Sequence, residues 1–120
     1  MNLPNVAALL FCRTASDDGP LREPDLNGVI GSVSLDGVIL DLHLTTVIDT
    51  DVGKHTIALE FVGPDQGRLW RKEVVRFCSG ATEVDSEVIP THSLCTVRGD
   101  YEARVLIDGE VHGRARLTVA

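Results

Sequence analysis

The sequence is poor in the features that usually advertise chemistry. It holds one Trp, one Tyr and three Phe, so aromatic residues are only 4% of the chain. Sugar and single-strand nucleic-acid binding lean on exposed stacking rings, and few are available here. Basic charge is also scarce: 11 Lys and Arg stand against 18 Asp and Glu, a net charge of −7. That balance disfavours phosphate backbones and anionic lipid surfaces, so neither nucleic acid nor a membrane is expected as a partner. Nowhere do apolar residues recur at a helical period over about eleven residues or more, which predicts little or no helix.

Cysteine is scarce and odd in number: Cys12, Cys78 and Cys95. Each has an apolar neighbour, which fits three core thiols in a reducing compartment. A bridge between Cys78 and Cys95 is geometrically conceivable across two strands, and spacing alone does not decide it. A secretory leader is not expected either. No Lys or Arg precedes the apolar run Val6–Cys12, and Arg13 ends it. A leader needs a cationic start and a longer run, so the segment reads as a first strand and the protein as cytoplasmic.

Catalytic and cofactor signatures are missing as well. There is no Gly-x-Ser-x-Gly elbow, no phosphate-cradling glycine loop and no dinucleotide fingerprint. The four histidines, His43, His55, His92 and His112, lie far apart in the chain. Zinc sites usually draw two ligands from close spacing, so no metal site is expected. Asp49-Thr50-Asp51 opens like a calcium loop, but Gly53 and Lys54 follow where further acids belong, and a polar turn is the simpler account. No catalytic residue, metal ligand or cofactor is therefore assigned, and an enzyme is not expected.

What the chain does have is β-branched side chains. Val, Ile and Thr supply 30 of its 120 residues, and such side chains suit a pleated, half-buried surface. At 43% hydrophobic and 24% charged, the composition is that of an ordinary globular chain, read here as a single domain over 1–120. Turn residues cut it into short alternating pieces. The expected strands are Asn5–Arg13, apolar on both phases; Gly28–Leu35; Val38–Ile48; and Lys54–Val62, with His55, Ile57, Leu59 and Phe61 inward. Arg68–Cys78 follows, with a bulge near Lys72–Val75, and then Val88–Val97 with Pro90 at or near its start. Asp100–Ile107 and Glu110–Val119 form a last hairpin closed by Asp108-Gly109, with Val111, Ala115, Leu117 and Val119 sharing a face. Gly63-Pro64-Asp65-Gln66-Gly67 is a turn whose glycines supply the unusual dihedrals. Between the first two strands, Thr14–Asn27 carries Asp17, Asp18, Glu23 and Asp25 with two prolines, and reads as a solvated acidic loop.

Seven to eight strands without helices bury a face most simply as two packed antiparallel sheets, with a closed barrel as the alternative. The layout from Val38 onward resembles a group of bacterial immunoglobulin-like sandwich domains of unknown function. The resemblance is carried by Gly53-Lys54-His55, Gly63-Pro64-Asp65, Gly99-Asp100-Tyr101 and Ile107-Asp108-Gly109, with Leu26-Asn27-Gly28-Val29-Ile30 similar to an early strand of that group. It implies the fold and brings no catalytic residue with it.

The one segment that stands out for function is Arg68–Lys72. Arg68, Trp70, Arg71 and Lys72 make it the most basic stretch of an acidic chain, and Trp and Arg are the side chains enriched at binding hot spots. The alternative is a Trp lying across the sandwich rim with its basic neighbours in water. The expectation is a non-enzymatic protein-interaction or structural module, docking on a protein partner or on itself in a homo-oligomer or larger assembly. The second expectation, from another class, is a small-ligand site among loops Thr14–Asn27, Asp49–Gly53 and Gly63–Gly67 at one end of the sandwich.

Overall fold

A computed structural model describes residues 3–12, 31–36 and 41–120. The acidic loop Thr14–Asn27 lies outside the described residues, as do residues 28–30 of the expected strand at 28–35 and 38–40 of that at 38–48; in the described part of the former only Ser32–Val33 is strand. Eight strands are described: β1 (Asn5–Cys12), β2 (Ser32–Val33), β3 (Leu42–Asp49), β4 (Gly53–Val62), β5 (Arg68–Cys78), β6 (Glu83–Ile89), β7 (Gly99–Ile107) and β8 (Glu110–Val119). They form a three-stranded sheet, β1-β3-β6, and a five-stranded sheet, β2-β8-β7-β4-β5. All pairings are antiparallel except that of β2 with β8. The two sheets face one another as a sandwich, and the barrel alternative is excluded.

The core sits where the inward phases of both layers meet. Leu42, Leu44 and Ile48 of β3 and Phe11 of β1 face Ile57, Leu59 and Phe61 of β4 and Tyr101, Ala103, Val105 and Ile107 of β7. Phe61 is the hinge of the aromatic packing. Its ring stacks on Tyr101 at 5.5 Å and meets Phe11 edge-on at 6.1 Å, both favoured arrangements. The Tyr101 hydroxyl donates to the Val97 carbonyl at 2.7 Å and accepts from the Val97 N–H at 3.3 Å. A tyrosine near the start of a strand, bonded back to the backbone just upstream, is a hallmark of immunoglobulin sandwiches.

Several local expectations are corrected. The strand expected over Val88–Val97 ends at Ile89 and gives way to one helical turn, α1 (Thr91–Leu94). Pro90 has no N–H to continue the ladder. In its place the Thr91 hydroxyl accepts the Leu42 N–H at 2.9 Å, and the Pro90 and Thr91 carbonyls collect the N–H groups of Leu94 and Cys95. The bulge in β5 falls at Leu69, since Phe61 pairs with Trp70 and Val62 with Arg68, while Lys72–Val75 pair regularly. A second bulge, at His112, turns Val111 to the outer face beside Leu106 and brings Gly113 to the core face instead. In the Gly63–Gly67 turn the left-handed residue is Gln66, at φ 68°, and neither glycine.

Two glycines set how closely elements approach. Gly99, at φ 143°, lies under Pro64, and a Cβ there would stand 2.7 Å from the ring. Gly113 lets β1 close on β8: a Cβ would meet Val6 at 2.8 Å. The β4–β5 hairpin loop and the N-terminal strand are thus both seated on backbone that tolerates no side chain.

Candidate docking edge

The basic segment found in the sequence lies at the start of β5, the outermost strand of the larger sheet among the described residues. Its four residues do not project together. Trp70 lies opposite Phe61, half-buried, and packs against the core. This is the rim arrangement, with the indole used for packing. Arg68 and Arg71 point to the outer face, where both donate to Glu60, at 3.2 and 2.7 Å. Arg71 also reaches Glu73 at 2.5 Å. Lys72 points the other way and bonds Glu87 of β6 at 2.8 Å. The positive charge legible in the sequence is therefore matched by carboxylates that sequence order kept out of sight. Partial burial of Glu60 opposes its ionisation, but the hydrogen bonds from Arg71 and Arg68 outweigh that, and its carboxyl sits below the ordinary range.

The more informative feature is apolar. Val75 and Phe77 share the outer phase of β5 and are 62% and 71% exposed, while Leu69, the extra residue of the bulge, is 41% exposed at the end of the sandwich beside Gly63, Leu94 and Tyr101. On the inner phase Val74 is also exposed, above a groove of about 240 Å³ between β5 and β6 with Ile57, Leu59 and Thr46 in its floor. Charge bridges this flank. Besides Lys72–Glu87, Arg76 donates to Glu83 at 3.0 Å and to Asp85 at 2.9 Å. The hydrogen bond to Asp85 raises the Arg76 pKa despite partial burial. The sequence alternation of β5 was too irregular to foretell this edge. The signal that could have found it is Val75 and Phe77 falling on the phase opposite Trp70.

His55 is buried at the start of β4, on the inward phase as expected. Its Nδ1 lies 2.6 Å from the Asp108 carboxylate, and its Nε2 lies 3.2 Å from the Asp51 carbonyl and 3.1 Å from the Asp51 carboxylate. Both ring nitrogens therefore face acceptors, which the doubly protonated imidazolium satisfies best. The Asp108 hydrogen bond raises the His55 pKa against the opposing effect of burial, and the same bond lowers that of Asp108. Asp108 and Gly109 hold φ of 52° and 87°, the two positive values of the expected hairpin turn. The other carboxylate of the suspected calcium opening, Asp49, accepts from Thr82 at 2.5 Å. Among the described residues no group of three or more His, Cys, Asp or Glu is arranged to hold a metal ion.

Cys12, Cys78 and Cys95 are free and buried. Burial alone pushes the Cys95 thiol up to about 11, which leaves it protonated and poorly nucleophilic. Asp49–Gly53 precedes β4 and Gly63–Gly67 follows it, so these loops occupy opposite ends of a ten-residue strand. That corrects the expectation of a ligand site shared between them. No described helix is long and apolar enough to cross a membrane.

No family model matches the chain, and no curated protein matches it. Among solved structures, an immunoglobulin-like protein from Pseudomonas aeruginosa aligns over 98% of this chain and 96% of its own, with a TM-score of 0.53 and 16% identity. The chain has an immunoglobulin-like fold. At that identity the likeness speaks for the sandwich alone, and it agrees with the two sheets and the Tyr101 corner of this immunoglobulin-like chain.

Proposed function

We propose that the chain is a non-enzymatic protein-interaction module that docks through β5, including Arg68, Trp70, Arg71 and Lys72. The observation that carries this reading is that Val75 and Phe77 stand exposed side by side on one phase of an eleven-residue strand, the outermost of its sheet among the described residues. Large apolar side chains in a row at a sheet edge are costly to leave in water, and an unpaired edge is a template for another strand. The immunoglobulin-like fold supports a module without catalysis. We also infer a cytoplasmic, reducing location, supported by three thiols that are all unbridged.

The test is a photo-crosslinking amino acid placed at Val75 in the native host, with Val111 of β8 as the comparison position. Adducts at Val75 that are absent at Val111 support docking through β5. Absence of any adduct at Val75 defeats it.

A further inference from the structure

We propose that the strand docking on β5 is β5 of a second copy, paired antiparallel about a two-fold axis through Lys72. This rests on the reading of β5 as a docking edge and names its partner. An isologous edge contact needs a strand that complements itself. A two-fold axis perpendicular to the sheet keeps each face on its own side, so residues of the same phase oppose one another and the central residue meets itself.

Five registers centre the contact within the exposed stretch, and their pairings follow from the sequence of β5. Centred on Arg71, arginine meets arginine. Centred on Glu73, carboxylate meets carboxylate. Centred on Val74, Lys72 meets Arg76; centred on Val75, Glu73 meets Phe77. Centred on Lys72, Arg71 lies opposite Glu73 of the other copy, and this happens twice. Trp70 then meets Val74 on the inner face, again twice, and past the bulge, which leaves Leu69 out of the ladder, Arg68 meets Val75 on the outer one. Opposite charges and apolar pairs directly across a ladder stabilise it, while like charges weaken it.

The cost of this register is Lys72 facing its own copy. Within each chain that charge is already answered by Glu87 at 2.8 Å. The contact would join two five-stranded sheets into one of ten strands and cover Val75, which the single chain leaves 62% exposed.

Sedimentation of the full chain over a concentration series tests this with a charge swap. Wild type is expected to double its mass as concentration rises. Arg71→Glu sets like charges opposite each other and should raise the dimer dissociation constant by roughly tenfold or more. Adding Glu73→Arg to it restores complementarity and should restore the doubled mass. Circular dichroism confirms that each variant is folded, and Val75→Lys, which alters no ion pair within the chain, replaces Arg71→Glu if the latter does not fold. A wild type that stays single at the highest soluble concentration overturns the proposal. So does a folded single variant, Arg71→Glu or its Val75→Lys replacement, that still doubles, or a folded double swap that stays single. Crosslinked products at Val75 of masses other than twice the chain would overturn self-pairing while leaving β5 as a docking strand.

Discussion

β5 and β7 lie on either side of β4, both pair with it in antiparallel register, and both lead into or out of tight turns. Their surroundings differ sharply. Four residues of β7 are buried, Tyr101, Ala103, Val105 and Ile107, whereas in β5 only Cys78 is. The backbone pairing is equivalent, so the difference comes from what lies across the sandwich. Among the described residues three strands oppose five, and the shortfall of two strand spacings amounts to roughly 10 Å. β7 falls beneath the smaller sheet, and β5 overhangs it. Exposure of apolar side chains on β5 is thus a consequence of unequal layers, and a protein that kept such an overhang without using it would carry an aggregation hazard.

Substitutions that shorten side chains on each strand measure this contrast. Ile107→Ala should cost about 2–5 kcal/mol, since it removes buried volume that the opposing sheet cannot refill. Denaturant unfolding reads it directly, and a loss no larger than that of an edge substitution would break the comparison. Tyr101→Phe should cost about 1–3 kcal/mol, because it strips the Val97 carbonyl and N–H of their partner without opening a cavity. An unchanged midpoint would mean that water replaces the hydroxyl.

The next effect is smaller and sharpens where β4 is anchored. His55 has a raised pKa, so its contribution is complete below its ordinary value of 6.5 and is lost as pH climbs through the raised one. Asp108 has a lowered pKa, so its contribution is complete above 3.8 and is lost as pH falls through the lowered one. The bridge therefore stabilises most between those two ordinary values. Asp108→Asn keeps a side chain tolerant of positive φ while removing the charge. It should flatten the fall in stability above the ordinary histidine range, read as melting temperature against pH; an undiminished slope would place the titration elsewhere. Smallest of all, Val75→Ala should change the stability of the single chain by no more than about 0.5 kcal/mol. A larger loss would show that β5 is covered after all.

The same contrast explains what was legible beforehand. Regular alternation in Tyr101–Ile107 and His55–Phe61 announced both the strands and their buried faces, because a half-covered strand must alternate. β5 alternates poorly because neither of its faces is fully covered, so nothing forces apolar residues onto one phase. The β5 bulge was expected near Lys72–Val75 rather than at Leu69, and that at His112 was missed, because where an extra residue sits is fixed by pairing with a neighbouring strand. The carboxylates that answer Arg68 and Lys72 come from β4 and β6, eight and fifteen residues away. The odd cysteine count, by contrast, already left at least one thiol unpaired, and all three proved free.

The two flanks of the sandwich are fastened in different ways. At Val6 and Gly113 the layers touch through hydrocarbon and bare backbone, a seam indifferent to dissolved salt. At β5 and β6 they are buttoned by Lys72, Arg76 and their acids over a partly hollow gap. Screening loosens exposed ion pairs and leaves dry contacts alone, so of these two seams ionic strength acts on the one beside the overhanging strand.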